Sequence, residues 1–491
     1  MPKPLGEGFI NYETVDGDYL NRRRLQKSVG WQLLWFLGVG AVISGDFSGW
    51  NFGLSAGGFW GLAIATCLMA VMYICMVYSI SELSAALPHA GGFYSFTRNA
   101  FGPLGGFICG VTTTIEYVLT PAVIVFFIGS YLNTLFPALP VALWWLLFYA
   151  VFVAINVRSV ELTLKVGLFI TLMATTVLVI FYFGALLSEA FNPVLLFNIP
   201  PDPGNSAQGL AKGWTGVFKA LPYAIWFYLA IEQLPLAAEE ARDVKDIPDA
   251  LTWGIYTLLF FSLFTLVVNS GIGGGALAIS QSAAPLADGF KAVFGGGPFT
   301  TALTLVAVSG LVASFHMVIY AYGRILFALS RAGYFPRWIS VTNQNRTPAR
   351  ALILGAAIGL LCTAAIQLAG QGVVGAALLN MAVLGAVISY ALVMLSYIKL
   401  KVSRPDLNRP YKSPLGIGGA VVGTGLAILA FFACFSDPAY RPGVWGVAIF
   451  LIAAVLYFLF YSRTRLVAQA PEEAEALLAK VHDQLPPLPP A

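Results

Sequence analysis

Apolar runs of about 20 residues recur through nearly the whole chain, and a helix of that length crosses the hydrocarbon core of a bilayer. Twelve runs can be counted, at residues 31–54, 58–81, 103–135, 139–156, 161–187, 215–236, 250–275, 298–328, 351–369, 374–400, 415–435 and 443–461. Charged residues make up only 10% of the chain and hydrophobic residues 58%, whereas soluble proteins carry about a quarter charged residues. The sequence therefore predicts an all-α integral membrane protein with twelve transmembrane helices.

The positive charges predict which way the spans run. If both termini are cytoplasmic, all but four of the 27 Lys and Arg residues fall on the cytoplasmic side. The four outside are Lys212, Lys219, Lys291 and Arg441. This is the positive-inside pattern, and in a bacterial host it predicts the inner membrane. The net charge of +4 reflects this bias and does not indicate nucleic-acid binding.

The segments outside the spans are too short to fold as separate domains. We predict a polar N-terminal segment at 1–30 without a cleavable signal peptide, an irregular outer loop at 188–213 and a cytoplasmic tail at 462–491. Within the tail, residues 471–481 are predicted to form a short solvated helix, and the proline-rich stretch 485–490 to be disordered. The five cysteines are scattered along the chain, and we interpret them as small apolar residues. No disulfide or metal framework is therefore expected.

The first span contains an acid beside a glycine-flanked break, Ile43-Ser44-Gly45-Asp46. A charged side chain at the centre of a membrane helix costs about 2.5–3.5 kcal/mol even on the insertion scale. A broken helix exposes backbone polar groups, which are tolerated only where they line a cavity or bind something. These residues favour a transporter that holds a cation at this break.

The sixth span has a second plausible break, with Glu232 at mid-span and Pro235 three residues later. Two interrupted segments at matching places in two five-span halves are typical of inverted-repeat transporters with a site at the midplane. We therefore predict a transport core at 31–400, built from halves 31–187 and 215–400, with peripheral helices at 415–461.

Several loop motifs resemble those of the amino acid–polyamine–organocation permeases. They are ELSAALPHAGGFYSF (82–96), AFGP (100–103), NVR (156–158), AEE (238–240), DIP (246–248) and GRILFALSRAGYFP (323–336). The resemblance covers roughly residues 25–465 and implies a LeuT-type five-plus-five inverted repeat, with helices 1 and 6 broken and two further peripheral helices.

A narrower resemblance is to the ethanolamine permease branch, through VISGDFSGWN (42–51), IEYVLTP (115–121) and ASFH (313–316). Amino acid carriers of the superfamily usually have an apolar residue where this chain has Asp46. Bare amides at a helix break suit a substrate carboxylate, whereas a fixed aspartate repels one. The resemblance thus favours an amine such as ethanolamine, although Asp46 acting only as a cap of the half-helix is an open alternative.

The other candidate site residues carry a functional and a structural interpretation. Glu232 and Glu116 are buried acids that either bind the amine and couple protons or stabilise the fold through hydrogen bonds. Trp226, Tyr228 and Tyr117 either form an aromatic wall for an ammonium group or pack the core. With Ser44, Gly45 and Asp46, these residues make up the predicted substrate site.

Four residues are candidates for coupling transport to an ion. Glu116 and Glu232 are candidates for proton coupling, and His316 is the only histidine deep in a span, where a satisfied core histidine is the commoner role. Ser314 is a candidate sodium ligand against the first span, by similarity to sodium-coupled relatives. The lysine that some proton-coupled members carry in span 5 corresponds here to Ala174, so that mechanism is not expected.

The sequence therefore predicts a secondary transporter that imports a small organic amine, first of all ethanolamine, by alternating access. The alternatives are an amino acid or polyamine permease or exchanger of the same superfamily and, from another class, a non-transporting membrane sensor. No catalytic arrangement is recognisable, so an enzyme is not expected, nor is a cofactor, a metal or a nucleic acid. The expected partners are the amine, a proton or sodium ion, and the lipid bilayer.

Overall fold

The fold was analysed in a computed structural model that describes residues 6–7, 10–23, 25, 29–282, 284–368, 373–436 and 438–484. The α-helices are α1 (Gly17–Asn21), α2 (Trp31–Val42), α3 (Ser44–Phe47), α4 (Phe52–Ala86), α5 (Phe93–Leu135), α6 (Val141–Arg158), α7 (Val160–Leu187), α8 (Gly213–Ile225), α9 (Asp246–Ser270), α10 (Gly275–Ser280), α11 (Pro285–Phe294), α12 (Pro298–Arg331), α13 (Ala349–Leu368), α14 (Val373–Ser403), α15 (Gly416–Ala433), α16 (Arg441–Phe460) and α17 (Pro471–Gln484). Short 3₁₀ helices cover Pro193–Phe197, Ile231–Ala237, Pro438–Tyr440 and Ser462–Thr464. The strands are β1 (Gly6–Glu7), β2 (Ile10–Glu13) and β3 (Leu466–Val467).

The predicted twelve-helix membrane architecture is confirmed. Ten helices of the described chain are long and apolar enough to cross a membrane without interruption. The two predicted spans that are missing from these ten are the first and the sixth, because both are broken into shorter pieces. The chain is thus a multi-pass membrane protein.

The first span breaks where the sequence predicted. Helix α2 ends at Val42, the single turn α3 follows, and a turn at 48–51 precedes α4. Helix α4 is itself interrupted at Gly58, which has φ of +69°, so residues 52–57 extend the first span and the second begins at the glycine. In the sixth span, α8 ends at Ile225 and a 3₁₀ helix resumes at Ile231.

The spans differ in how much of their surface the protein covers. In the most apolar window of α5, 89% of residues are buried, and the value for α12 is 72%. For α6 and α16 it is only 22%, as expected for helices that face lipid on most sides. Helices α5 and α12 therefore form the centre, and the broken spans pack against them.

Both described ends of the chain lie on one side of the bundle, which we call the terminal face. Strand β2 pairs in parallel with β3 (Tyr12 with Leu466 and Glu13 with Val467), so the N-terminal segment is tied to the start of the tail. After α12 the chain passes very close to this pair: a Cβ at Gly333 would lie 2.2 Å from the Arg465 carbonyl oxygen. Gly333 also has φ of +90°, so only glycine fits this connection without strain.

The tail corrects one prediction and leaves another untested. A helix does form over 471–484, but it is not solvated, because Glu472 and Glu473 in its first turn are fully buried. The proline-rich stretch 485–490 lies outside the described residues. The loop 188–213 is irregular apart from its 3₁₀ helix, as predicted.

Candidate membrane transport site

The two helix breaks meet at the centre of the protein. A Cβ built on Gly45 would lie only 2.0 Å from the carbonyl oxygen of Trp226. Any larger residue at position 45 would force the two broken spans apart. The sequence thus predicted correctly that both spans break, and the structure adds that the breaks are in direct contact.

Asp46 lies beside this contact and is fully buried. The hydroxyl of Thr265 in α9 donates a hydrogen bond to Asp46 Oδ1 at 2.8 Å, and the Thr265 hydroxyl is itself 2.7 Å from that of Tyr182 in α7. Asp46 Oδ2 has no hydrogen-bond partner among the described residues. Within the described chain, no backbone amide of α3 donates to the Asp46 carboxylate. The structure therefore shows one carboxylate oxygen held by the protein and the other left without a donor.

Glu232 follows the break of the sixth span and stabilises its backbone. Both of its carboxyl oxygens accept a hydrogen bond from the Ala230 amide, at 3.0 and 3.1 Å. Ala230 has φ of +86°, a left-handed conformation that costs a non-glycine residue about 1–2 kcal/mol. This observation supports the structural interpretation of Glu232, that it stabilises the helix break, without excluding a second role.

Glu232 also contacts Glu116, the acid of the third span. Their carboxyl groups lie within hydrogen-bonding reach of each other. Because two ionised carboxylates have no hydrogen to share, this contact requires a proton on one of them. The Tyr390 hydroxyl is 3.5 Å from Glu116 Oε1 and 3.0 Å from the Tyr73 hydroxyl. The pair is thus buried beside tyrosine hydroxyls, with Tyr117 close enough to interact electrostatically.

The three candidate acids form two groups in the structure. Among the described residues, no hydrogen bond joins Asp46 to Glu116 or Glu232. The groups are bridged by aromatic rings, since the Tyr73 and Tyr228 rings are 5.3 Å apart. Asp46 and its hydroxyl partners therefore form one centre, and the glutamate pair forms another.

The predicted aromatic residues line the break of the sixth span. The Trp226 ring lies 3.6 Å from a Cβ placed on Gly49, so it covers the turn after α3. Trp226 Nε1 is buried and finds no acceptor among the described groups. The Tyr228 hydroxyl is 2.9 Å from Ser262 Oγ of α9. All of these side chains are buried, so the site is closed to both faces in this conformation.

Ser314 and His316 have structural partners. Ser314 Oγ donates to the Gly40 carbonyl and accepts from the Ser44 amide, both at 2.9 Å, so it joins α12 to the break of the first span. His316 Nε2 donates to the Thr163 carbonyl at 2.9 Å, and Nδ1 accepts from the Asn156 amide at 3.2 Å. The geometry of His316 is that of a satisfied core histidine, and it contacts neither acidic centre.

Some residues of the site were missed by the sequence analysis. Thr265, Tyr390 and the strained Ala230 contact a candidate acid, and Tyr182 contacts Thr265. Hydroxyl residues are common in membrane helices, so no local signal separated Thr265 from its neighbours. No group of three or more His, Cys, Asp or Glu side chains suited to a metal ion occurs in the described residues.

Comparison with known proteins places this geometry in a family. The family described as "Amino acid permease" matches residues 29–462. An uncharacterized transporter of Rhizobium meliloti is 27% identical, with 90% of this chain and 93% of the relative aligned. The branched-chain amino acid permease BcaP of Bacillus subtilis is 28% identical, with 90% and 94% aligned. The aromatic amino acid transport protein AroP of Escherichia coli is 23% identical, with 89% and 93% aligned. The match covers most of the chain, including both helix breaks, and the chain therefore belongs to the amino acid permease family.

Proposed function

We propose that this permease carries a small substrate with an ammonium group, which Asp46 binds at the contact between the two helix breaks. The supporting observation is Asp46 Oδ2, a buried carboxylate oxygen that has no donor among the residues the structure describes. Leaving such an atom unpaired costs free energy, and a substrate ammonium supplies the missing hydrogen bond and charge. Trp226 and Tyr228 beside it supply ring faces that attract a cation.

Two substrate classes fit an ammonium site. The relatives named for branched-chain and aromatic amino acids favour an amino acid. Asp46 itself favours an amine without a carboxylate, such as ethanolamine, because its negative charge lies where a substrate carboxylate would approach the break of the first span. Taking relatives and geometry together, an amino acid is the first candidate and ethanolamine the second.

Matched substrate pairs test the choice between them. Serine and ethanolamine differ only by the carboxylate, as do leucine and 3-methylbutylamine, and phenylalanine and phenethylamine. When each labelled compound is offered to proteoliposomes, we expect one member of each pair to be taken up and the other not. Uptake of the acids alone would identify an amino acid permease, and uptake of the amines alone an amine permease. If none of the six is taken up or competes, the ammonium proposal is wrong.

We further propose that the Glu116–Glu232 pair carries the coupling proton. The pair already requires one proton, and a second proton or the loss of the first would change its charge while the substrate site is closed. An inwardly directed proton gradient should accelerate uptake by the wild type. Glu116→Gln should remove that acceleration, and Asp249→Asn, an exposed control in α9, should keep it. A wild-type uptake rate that does not change with the proton gradient would refute proton coupling.

The positive-inside pattern supports a cytoplasmic placement of the terminal face. In this orientation the outer loop 188–213 faces the opposite side of the membrane. Protease treatment of sealed vesicles of known orientation should cleave the loop and the tail from opposite sides.

A further inference from the structure

The tail helix α17 is built into the terminal face and does not extend from it. Glu472 and Glu473 are fully buried, although they belong to a segment of high polarity at the end of the chain. Burying two carboxylates is costly unless both are paired. Their partners therefore show what the tail helix holds together.

Glu473 is bound by four separate donors. Arg98 Nε donates to Glu473 Oε2 at 2.6 Å, and the hydroxyls of Tyr12, Tyr94 and Tyr334 donate at 3.1, 3.0 and 2.8 Å. Tyr94 and Arg98 belong to α5, Tyr334 follows α12, and Tyr12 lies on β2. A single carboxylate thus links both central spans to the N-terminal strand.

Glu472 is bound to Arg331, the last residue of α12. The same guanidinium donates to Glu239, at 3.0 Å from Arg331 Nη1 to Oε2. Glu239 lies two residues beyond the 3₁₀ helix of the broken sixth span. Burial raises the pKa of Glu239, but the charge and hydrogen bonds of Arg331, together with the Ala90 amide and the His89 charge, outweigh it and hold that pKa below its usual value. The tail helix therefore reinforces the ionic contact that joins the end of the broken span to the end of α12.

The loop between α4 and α5 completes the network. His89 of this loop pairs with Glu475 of the tail helix, and the Ala90 amide donates to Glu239 Oε1 at 3.0 Å. A Cβ on Gly91 would lie 3.2 Å from Glu472 Cγ, so the helix packs directly on the loop. The tail helix thus contacts the loop, α5 and α12, and reaches the sixth span through Arg331.

We propose that α17 is a latch that keeps the terminal face closed and must release before that face opens. The proposal rests on alternating access, in which broken helices move relative to the rest of the bundle. An opening on this side has to separate the end of the sixth span from α5 and α12. The contacts of Glu472, Glu473 and Glu475 oppose that separation, so they stabilise the closed conformation and lower the population of the open one.

Thiol labelling measures this opening without any substrate. Leu236 is 2% exposed, and it lies beneath the α4–α5 loop, 3.1 Å from a Cβ placed on Gly92. In a protein whose five native cysteines are replaced by serine, Leu236→Cys should react slowly with N-ethylmaleimide. Adding Glu473→Gln, which keeps the side-chain shape and removes its charge, should speed the reaction about tenfold. Leu478→Ser, a change at a 70% exposed position of the same helix, should leave the rate unchanged.

Two further measurements separate release of the latch from unfolding. A parallel Glu473→Gln protein that retains only Cys109, which is fully buried in α5, should stay unlabelled. In the Leu236→Cys protein, joining His89→Cys to Glu475→Cys with a short bis-maleimide should slow labelling of the Leu236→Cys thiol about tenfold. This second arm does not require Glu473→Gln to fold.

The outcomes are decisive in both directions. Faster labelling after Glu473→Gln together with slower labelling after cross-linking, with Cys109 protected, supports the latch. An unchanged labelling rate in the folded Glu473→Gln protein or in the cross-linked protein overturns it, and if Glu473→Gln does not fold, the cross-linked protein alone decides. Because no substrate takes part, the result does not depend on whether Asp46 binds an ammonium group.

Discussion

Asp46 and Glu473 are equally buried carboxylates in very different surroundings. Both residues are 0% exposed. Glu473 accepts hydrogen bonds from an arginine and three tyrosines, whereas Asp46 accepts one, from Thr265, and its second oxygen has no described partner. Burial alone therefore does not separate a structural acid from a functional one. The number of donors around the carboxylate distinguishes these two acids.

The comparison has a physical basis. A buried charge with all its hydrogen bonds made is compensated inside the protein, so it holds the fold in one arrangement. A buried charge with an open position is compensated only when a ligand or proton arrives. We therefore expect changes at Glu473 to affect stability and opening, and changes at Asp46 to affect substrate binding.

The largest effect is expected for Glu473→Ala, which leaves Arg98 buried without its carboxylate. Removing one partner of a buried ion pair costs about 3–5 kcal/mol, and this should appear as a marked drop in thermal stability in detergent. Replacing both partners, with Glu473→Leu and Arg98→Met, should recover part of the loss. Equal stability of the single variant and the wild type would contradict the structural role.

Asp46→Asn should do the opposite of Glu473→Ala, because it should impair uptake without lowering thermal stability. We expect uptake to fall about 100-fold, or about 2.7 kcal/mol of lost interaction with the transported substrate, because the amide carries no charge for an ammonium group. Thermal stability should stay the same or rise, since a buried charge with an unsatisfied oxygen has been removed. Asp249→Asn, at an exposed site in α9, is the matched control for uptake. Normal uptake by Asp46→Asn would break the distinction between the two acids.

The sequence predicts the spans and their breaks well because both depend on local signals. Span length follows from apolar runs, and the break at Gly45 follows from a residue that interrupts a helix. The break of the sixth span lies at 226–230, a stretch without Gly or Pro, so Pro235 indicated only its approximate position. The pairing of Glu116 with Glu232 was not predictable, because these residues come from spans separated by more than 100 positions in the chain. Only the three-dimensional arrangement brings them together.

The tail helix was wrongly predicted to be solvated for a related reason. Residues 471–481 are polar and amphipathic, which is typical of an exposed helix. Their partners, Arg98 and Arg331, lie far away in the chain, and their own motifs gave no indication that they bind the tail. An acid that is buried needs a partner. Hydropathy, however, does not predict that an acid in a polar tail becomes buried.

A smaller effect is expected at Ala230, whose left-handed backbone is held by the Glu232 carboxylate. Ala230→Gly removes a strain of about 1–2 kcal/mol but adds flexibility to the unfolded chain, so we expect a net gain of about 0.5 kcal/mol in thermal unfolding. The same change at Ala220, inside α8 and equally buried, should destabilise the protein instead. A loss of stability with Ala230→Gly would mean that this backbone is not strained.

The smallest effect is a pH dependence to which the tail contributes through His89. Burial lowers the pKa of His89, but its hydrogen bond to Glu475 and the charges of Glu472 and Glu239 outweigh burial and raise it above its usual value. A raised pKa means that His89 stabilises the docked tail fully below its unfolded value of about 6.5 and loses this contribution as the pH rises through the folded value. Thermal stability should therefore fall modestly between about pH 6 and pH 8.5. His89→Gln should reduce this loss of thermal stability between about pH 6 and pH 8.5, and a loss of unchanged size in His89→Gln would assign the titration to another group.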